Sequence, residues 1–321
     1  MSFQVPLFLD LEPKTNSFFD DAIHGLTQTS KSLPSKYFYD LKGSVLFDQI
    51  CELPEYYPTR TELGILQEHM SDITQTLGES VILVEYGSGS SLKTQLLLKS
   101  IPDVEAYVPI DISREHLLSA SEQTRMNYPN LTVLPVCADY SQQISLNLSP
   151  TPGTRVGVFF PGSTIGNFST DHAISFLKRI HHLVGLNGGL LVGVDLLKDS
   201  SVLEAAYNDS QGVTAAFNLN VLNHANEKIG AGFDLSDFKH VAFFNSEESR
   251  IEMHLEVLRD QQIQIRDTTI HFQKGETILT EYSHKYSLEH FSEIAAAAGF
   301  KVEQVWTDDQ NYFSVQYLRA V

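Results

Sequence analysis

The chain of 321 residues is poor in cysteine and in basic residues. Its two cysteines, Cys51 and Cys137, form no C-x-x-C pair, so we expect reduced thiols in a cytoplasmic protein and no disulfide framework. Lysine and arginine number 22 against 40 acidic residues, which gives a formal net charge of −18. Because no basic block offsets this charge, we expect no nucleic-acid partner, and a small-molecule substrate fits better.

The sequence also lacks a membrane segment and a metal-binding pattern. No apolar run approaches the length that a bilayer crossing requires. The first residues, MSFQVPLFLDLEP, have no basic region and are broken by Pro6, Asp10 and Glu12, so we expect no signal peptide and no membrane partner. The twelve histidines show no H-x-H, H-x-x-x-H or H-E-x-x-H spacing, so we expect no metal ion.

What is present, from residue 80 to about residue 196, is an alternation of short apolar runs with amphipathic stretches. Strands are predicted at Val81–Tyr86, Ala106–Ile110, Leu131–Cys137, Val156–Phe160 and Leu190–Val194, and helices at Leu92–Ser100, Arg114–Asn127 and Thr170–Leu183. Strands separated by helices predict βαβ units, a parallel sheet, and a ligand crevice at the carboxyl ends of the strands.

The pattern changes after this region. Asp199–Ile229 predicts helix, and Lys239–Tyr286 predicts several strands with alternating side chains. The helix then returns at Leu288–Ala298, and a hairpin of Phe300–Val305 and Tyr312–Leu318 follows. We therefore predict a sheet domain made of segments 61–196 and 287–321, and a discontinuous second domain made of segments 1–60 and 197–286.

A glycine-rich loop, Gly87-Ser88-Gly89-Ser90-Ser91, joins the first predicted strand to the first predicted helix. Glycines at such a turn let the backbone approach a ligand and present helix N–H groups to it. The third glycine of a dinucleotide fingerprint is replaced by Leu92. Glu85 precedes the loop, where its carboxylate can meet a polar group of a ligand. This pattern fits an S-adenosylmethionine (SAM) site better than an NAD site. The alternative is an ordinary Gly/Ser turn.

Polar residues at the ends of the next strands are candidate ligand contacts. Asp111 can accept hydrogen bonds from both ribose hydroxyls, or it can serve the helix that follows as an N-cap. Asp139 can bind an adenine amino group with Tyr140 flanking the ring, or the two can form a plain turn. Lys93 can meet the carboxylate of the methionine part of SAM, or it can be a solvated surface lysine.

The loop Phe160–Phe168 follows the fourth strand, and within it Asn167 offers both a donor and an acceptor. Two aromatic-rich stretches, 37–40 and 53–62, complete the candidate set. Aromatic rings can stabilise a sulfonium or a methylated ammonium by cation–π attraction, although such stretches also serve as core packing.

Seven motifs in the same order carry a resemblance from about residue 30 to the end of the chain. They are KSLPSKYFYD, GSVLFDQICELPEYYPTRTE, VEYGSGSS, PGSTIGN, GVTAAFNLNVL, RIEMHL and LTEYSHKY. Together they resemble the ergothioneine-pathway histidine Nα-methyltransferases. The resemblance implies a class I SAM-dependent methyltransferase fold, a Rossmann-like α/β sheet with a second discontinuous substrate-binding domain. It implies three methyl transfers to L-histidine that give its betaine, hercynine.

The resemblance also implies roles for individual residues. SAM would be held by Gly87, Lys93, Asp111, Asp139 and Tyr140. Tyr56, Asn167 and Tyr207 would hold the amino-acid backbone of the substrate, and Glu281 and Ser283 would hold its imidazole. Phe47 and Met253 would line the side-chain pocket, and Tyr39 would lie near the amine. Tyr39, Tyr56 and Asn167 would thus be the groups nearest the reacting nitrogen. Glu281 and Ser283, two apart on a strand, share one face and can grip both imidazole nitrogens.

Other functions remain as alternatives. A nicotinamide-dependent oxidoreductase could use the same sheet, but Leu92 and the C-terminal hairpin disfavour it. A SAM-fold binding module without catalysis is disfavoured by the full set of acidic and substrate residues, and an RNA methyltransferase by the charge of −18. Within the favoured class, the substrate could be another amino acid or a prenylated indole amino acid. We expect a monomer that acts on histidine and its mono- and dimethyl forms.

Overall fold

A computed structural model of the chain describes residues 8–11, 16–89, 92–146, 148 and 150–321, with the side chains of residues 16 and 17 left out. The chain forms two compact units. Unit 1 comprises Met1–Pro13, Pro58–Leu197 and Lys285–Val321, and unit 2 comprises Lys14–Tyr57 and Lys198–His284.

Unit 1 is built on a mixed sheet with helices between its strands. Its strands are β1 (Leu9–Asp10), β3 (Ser80–Tyr86), β4 (Asp103–Asp111), β5 (Thr132–Val133), β6 (Val136–Cys137), β7 (Arg155–Phe160), β8 (Gly189–Asp195), β14 (Phe300–Thr307) and β15 (Phe313–Ala320). Its helices are α3 (Tyr57–Leu77), α4 (Leu92–Ser100), α5 (Arg114–Asn127), α6 (Thr170–Val184) and α9 (Leu288–Ala297), with a short 3₁₀ helix at Thr164–Asn167.

The strands of this sheet follow the order β1-β6-β4-β3-β7-β8-β15-β14, with β5 also pairing with β4. Strands β4, β3, β7 and β8 run parallel, and β15 lies antiparallel between β8 and β14. The order reverses at β3, so the crevice of an open α/β sheet lies beyond the carboxyl ends of β3 and β7. This topology confirms the predicted class I methyltransferase fold, including its final hairpin.

Two apolar layers cover the sheet of unit 1, as strand alternation requires. Ile82 and Val84 face a cluster that includes Phe176 of α6 and Phe291 of α9. Their neighbours Val81 and Leu83 face a second cluster with residues of α3 and α4. Strands buried on both faces read as continuous apolar runs, which is why the parallel strands were visible in the sequence.

Two details differ from the sequence prediction. The third predicted strand, Leu131–Cys137, is divided into β5 and β6. The break contains Pro135, which has no N–H to donate to a neighbouring strand. The second difference concerns β1, which pairs in parallel with β6 at the edge of the sheet. Residues 9 and 10 therefore belong to unit 1, whereas the sequence analysis placed residues 1–60 in the second domain.

Unit 2 combines helices with a four-stranded sheet of order β2-β13-β10-β9 and a separate hairpin β11-β12. Its strands are β2 (Lys31–Ser32), β9 (Phe238–Asn245), β10 (Arg250–Val257), β11 (Gln261–Ile265), β12 (Thr268–Phe272) and β13 (Thr277–His284). Its helices are α1 (Asn16–Leu26), α2 (Leu41–Glu52), α7 (Ser200–Tyr207) and α8 (Val213–Ile229), with 3₁₀ helices at Ser35–Phe38 and Leu235–Asp237.

The single helix predicted over 199–229 is two helices, α7 and α8. Gly212 precedes α8 with a φ of +72°, a conformation that glycine adopts without strain. The Asp209 carboxylate accepts hydrogen bonds from the N–H groups of Val213 and Thr214 at 2.9 and 2.8 Å. These bonds satisfy the first turn of α8 and fix the break.

Two searches of the described part of the chain bear on membrane and metal binding. None of its helices combines the length and apolarity needed to cross a membrane. In the same residues, no three His, Cys, Asp or Glu side chains are grouped in a way that would hold a metal ion.

Candidate active site

The loops after β3, β4 and β6 converge at the carboxyl edge of the unit 1 sheet. Gly87 and Gly89 have φ values of +70° and +34°. The Gly87 N–H donates to the Ile110 carbonyl at 2.8 Å, and a Cβ added at Gly87 would lie 3.8 Å from the Tyr140 hydroxyl. The predicted glycine turn is therefore present and lies beside Tyr140. Ser90 and Ser91, the last residues of the predicted loop, lie outside the described residues.

Asp111 ends β4 next to this loop. Its Oδ1 accepts the Ser113 N–H at 2.8 Å, and its Oδ2 lies 3.4 Å from the Gly89 N–H. Burial raises the pKa of Asp111 although these N–H groups favour its charged form. The carboxylate thus supports the turn before α5 and faces the glycine loop. The N-cap of α5 is Ser113, so the alternative that Asp111 caps this helix is wrong.

Asp139 and Tyr140 follow β6. Asp139 Oδ1 accepts hydrogen bonds from the Ser141 N–H at 3.0 Å and from its hydroxyl at 2.5 Å, which is a local turn contact. The Tyr140 ring packs against Tyr86 and Phe160, with centroids 5.9 and 6.0 Å apart. Tyr140 is therefore held in an aromatic cluster beside the glycine loop.

Lys93 lies in the first turn of α4, as predicted, and forms an ion pair with Glu62 of α3. Glu62 ends the candidate stretch 53–62, but no ligand contact was predicted for it individually. The sequence does indicate that Glu62 is buried, because Ile65 and Leu66 follow it by three and four residues and lie on the same buried face of α3. A carboxylate in such an apolar stripe requires buried partners.

Glu85 does not reach the glycine loop, contrary to the sequence interpretation. Its carboxyl group is buried in the core, where it accepts hydrogen bonds from Thr94 at 2.5 Å and from Tyr107. Burial raises the pKa of Glu85 to about 8, although both hydroxyls and Lys93 favour the charged form. Glu85 therefore stabilises the first turn of α4 through its hydrogen bond with Thr94, and its carboxyl group is too deeply buried to contact a ligand.

The raised pKa predicts a pH-dependent stability. An unfolded glutamate releases its proton near 4.5, whereas folded Glu85 keeps it until about pH 8. Its stabilising contribution is therefore full below pH 4.5 and is lost as the pH rises through 8. Glutamine does not titrate, so the Glu85→Gln variant lacks this loss. The free energy of unfolding of the variant minus that of wild type should therefore rise by roughly 4 kcal/mol from pH 5 to pH 8. Urea unfolding across this range measures the difference. Glu68→Gln, at an exposed position of α3, is the control, and a flat difference for Glu85→Gln would contradict the burial argument.

The loop that carries Asn167 is fixed by buried groups of unit 1. Ser163 has a φ of +56°, and its hydroxyl accepts the Asp195 N–H at 2.9 Å. The Asp195 carboxylate in turn pairs with Lys285 at 2.8 Å, with both side chains 1% exposed. Asn167 ends the 3₁₀ helix that follows Ser163. A non-glycine residue in the left-handed conformation needs such support, so these contacts hold the loop in its observed conformation.

In unit 2, the predicted imidazole contacts share one face of the sheet. Glu281 of β13 pairs with Met253 of β10, and Ser283 pairs with Ile251. The Tyr207 hydroxyl donates to the Ser283 hydroxyl at 2.7 Å. Tyr282 points to the other face, where the Arg250 guanidinium lies 3.7 Å from its ring centroid. Glu281 and Ser283 therefore share one face, as strand alternation predicts, with Met253 opposite Glu281 and Tyr207 bonded to Ser283.

A β-bulge sets the direction of Glu281. The register of β10 and β13 shifts between Met253 and His254, which leaves Thr280 as an extra residue of β13. The Thr280 hydroxyl bonds to Asn218 Oδ1 at 2.7 Å and to the Met253 carbonyl at 3.0 Å. Asn218 is fully buried and also donates to the His254 carbonyl. The sequence reading missed this support, because a bulge has no signature in a strand pattern.

The predicted aromatic residues form a row in unit 2. Ring centroids are 5.6 Å apart for Tyr39 and Phe47, 6.3 Å for Phe47 and Tyr56, and 6.3 Å for Tyr56 and Tyr207. Phe217 of α8, which was not predicted, packs against Tyr39 and Phe47. Burial, and next the Tyr207, Cys51, Tyr39 and Glu281 groups, raise the pKa of Tyr56 well above its usual value. Tyr56 is therefore a neutral donor at physiological pH.

Comparisons with known proteins identify the family of this chain. A sequence model of a family described as "Histidine-specific methyltransferase, SAM-dependent" matches residues 18–320. The "Histidine N-alpha-methyltransferase" of Mycolicibacterium smegmatis is 40% identical over 320 residues, which cover 98% of each chain. The protein of the same name from Mycobacterium tuberculosis is 39% identical over 92% of each chain. "Ergothioneine biosynthesis protein 1" of Neurospora crassa is 29% identical over 88% of this chain and 32% of its own length.

These matches confirm the resemblance that the seven motifs carry, and SAM is the methyl donor of the family. The positive-φ glycines allow close approach of the backbone, the Asp111 carboxylate can accept hydrogen bonds from hydroxyl groups, and Tyr140 offers an aromatic ring, so this edge suits SAM. The chain therefore belongs to the family of histidine-specific, SAM-dependent methyltransferases.

Proposed function

We propose that the protein transfers three methyl groups in succession from SAM to the α-amino nitrogen of L-histidine and so forms hercynine in ergothioneine biosynthesis. The observation that carries the substrate assignment is the pair of Glu281 and Ser283 on one face of β13, with Tyr207 bonded to the serine. The names of the relatives from Mycolicibacterium smegmatis and Neurospora crassa support the same substrate and pathway.

Glu281 and Ser283 suit an imidazole because they differ in hydrogen-bonding character. A carboxylate accepts the hydrogen bond of one ring N–H, while a hydroxyl can donate to or accept from the other nitrogen. The Tyr207 hydroxyl donates to Ser283 Oγ, so the serine is held in place by a residue of α7. Met253 and Phe47 supply the apolar walls of the side-chain pocket in this proposal.

In unit 1, Gly87, Asp111, Asp139 and Tyr140 are the proposed SAM contacts, with Lys93 for its carboxylate. SAM, when bound, supplies a methyl group on a positively charged sulfur. The protein's task is then alignment, because a displacement at a methyl carbon gains most from proximity and orientation. Asn167 in unit 1 keeps its proposed role as a neutral contact of the amino-acid substrate.

The amine must be neutral when it attacks, so neutral partners suit it. Tyr56 remains a neutral phenol because burial raises its pKa, and it can orient the amine without holding a proton on it. The aromatic row of Tyr39, Phe47 and Tyr56 offers ring faces to the methylated ammonium group of the substrate, which becomes larger with each transfer. These features favour a site that continues past the first transfer.

Incubation with excess SAM and a panel of amino acids, followed over time by mass spectrometry, tests the function. We expect histidine to be methylated far faster than phenylalanine, tryptophan or a prenylated tryptophan, because these lack the second nitrogen for the Glu281 and Ser283 pair. Trimethylhistidine should be the end product, since a quaternary nitrogen has no lone pair. Dimethylhistidine should be used at least as well as histidine.

Two outcomes of this experiment would contradict the proposal. Monomethylhistidine as the final product under excess SAM would mean that the site depends on N–H donors that each transfer removes. Faster methylation of an indole amino acid would assign the pocket of unit 2 to another substrate.

We propose further that the enzyme works in the cytoplasm as a monomer and on small molecules alone. The net charge of −18 disfavours a nucleic-acid partner, and Cys51 and Cys137 form no disulfide with each other. Light scattering of the purified protein measures the molar mass, and the mass of a dimer would contradict the monomer.

A further inference from the structure

Glu62 places a carboxylate in the interior of unit 1, where it joins three elements. Its side chain has no exposed surface, and its Oε2 pairs with the Lys93 ammonium group in the first turn of α4. The Gly162 N–H, in the loop after β7, lies 3.1 and 2.9 Å from the two carboxylate oxygens. Glu62 therefore links α3 to the helix after the glycine loop and to the loop that leads to Asn167.

The sheet leaves room for this carboxylate. A Cβ added at Gly193 of β8 would overlap Glu62 Oε1, and it would also lie 3.0 Å from the Phe313 ring. The carboxylate thus lies directly against the backbone of a central strand. Its position is fixed by packing on one side and by hydrogen bonds on the other.

The two members of the ion pair differ in their access to a ligand. The Lys93 side chain retains 17% exposure, whereas that of Glu62 has 0%. Part of the Lys93 side chain is therefore accessible to a ligand, whereas the Glu62 carboxylate is not. The ammonium group has three N–H donors, and the pair with Glu62 leaves donors for a further acceptor.

We propose that Glu62 is a positioning residue for SAM, which holds Lys93 where its ammonium group meets the carboxylate of the methionine part. This inference rests on the proposed role of Lys93 in cofactor binding. A lysine stem has many rotamers, and a buried anchor removes that freedom when the protein folds and not when SAM binds. Glu62 acts through Lys93 and does not itself contact the cofactor.

A double-mutant cycle on SAM binding tests this inference. Titration calorimetry of SAM and of S-adenosylhomocysteine, without histidine, gives the Kd for Glu62→Gln, Lys93→Met and the double variant. Glu62→Gln keeps an acceptor for the Gly162 N–H but loses the charge that holds Lys93. We expect its Kd for both ligands to rise about tenfold, and the double variant to bind no more weakly than Lys93→Met alone.

Asp72→Asn is the matched control on α3, because Asp72 lies about three helical turns after Glu62 and accepts the Trp306 indole N–H at 2.8 Å. It should lower the Tm and leave the Kd for SAM unchanged. If Glu62→Gln does not fold, Glu62→Asp keeps the charge one methylene further from Lys93 and should show a smaller rise in Kd.

Three results would overturn the inference. They are wild-type SAM affinity in Glu62→Gln, wild-type affinity in Lys93→Met, and additive effects in the double variant. Because histidine is absent from these titrations, an error in the proposed amino-acid substrate would leave them unaffected. Failure of the positioning role and failure of the substrate assignment are therefore distinguishable.

Discussion

Replacing Asp111 by alanine should weaken SAM binding roughly 10- to 150-fold. The carboxylate at the end of β4 is the charged acceptor that we assign to the two ribose hydroxyls, and a hydrogen bond to a charged group contributes roughly 1.5–3 kcal/mol. The substitution also removes the acceptor of the Gly89 and Ser113 N–H groups, so the glycine loop loses its support. Titration calorimetry of SAM measures the change. Asp111→Asn, which keeps one oxygen, should fall between wild type and the alanine variant.

The other end of the same strand provides the control. Asp103 begins β4, is exposed, and accepts a hydrogen bond from the Ser80 hydroxyl at 2.7 Å. Asp103→Ala should alter stability slightly and leave the Kd for SAM unchanged. If Asp111→Ala binds SAM as wild type does, Asp111 is only a turn residue and the cofactor's ribose lies elsewhere.

The fold of unit 1 was accessible from the sequence because its signals are local. Apolar runs such as 81–84, separated by amphipathic helices, give both the elements and their parallel order. The hairpin of β14 and β15 was visible because its turn carries Asp308, whose carboxylate accepts three backbone N–H groups. The exception, the division at Pro135, depends on one residue without a donor.

The side-chain partners of the site were not accessible in the same way. Glu62 and Gly162 are separated by 100 residues, and Tyr207 and Ser283 by 76. Such contacts depend on the three-dimensional packing, so no periodic pattern in the sequence predicts them. Glu85 shows the opposite failure, because its place before the glycine loop suggested a ligand contact, whereas strand alternation turns its carboxyl group into the core. Motifs located the candidate residues, and packing determined which side chains each of them contacts.

Replacing Glu281 by alanine should lower kcat/KM for histidine by about 100-fold or more, with the Kd for SAM near that of wild type. The proposed contact is a charge-assisted hydrogen bond to an imidazole N–H, and its loss leaves that donor without a partner in a partly buried pocket. A carboxylate also disfavours apolar side chains, so the variant should accept phenylalanine relatively better than wild type does. Steady-state kinetics with both amino acids, together with SAM titrations, measure the three quantities.

Two further variants separate a role in substrate recognition from a role in folding. Glu281→Gln keeps the shape of the side chain and one acceptor oxygen, so it should recover part of the histidine activity that alanine loses. Glu252→Gln lies on the opposite face of the same sheet, where the wild-type carboxylate accepts hydrogen bonds from Arg250 and His254. It should lower the Tm and leave kcat/KM for histidine close to that of wild type, because those partners are structural. If Glu281→Ala loses SAM affinity and histidine activity to the same extent, or if Glu252→Gln matches its kinetic loss, Glu281 supports the sheet and the imidazole must be recognised by other groups.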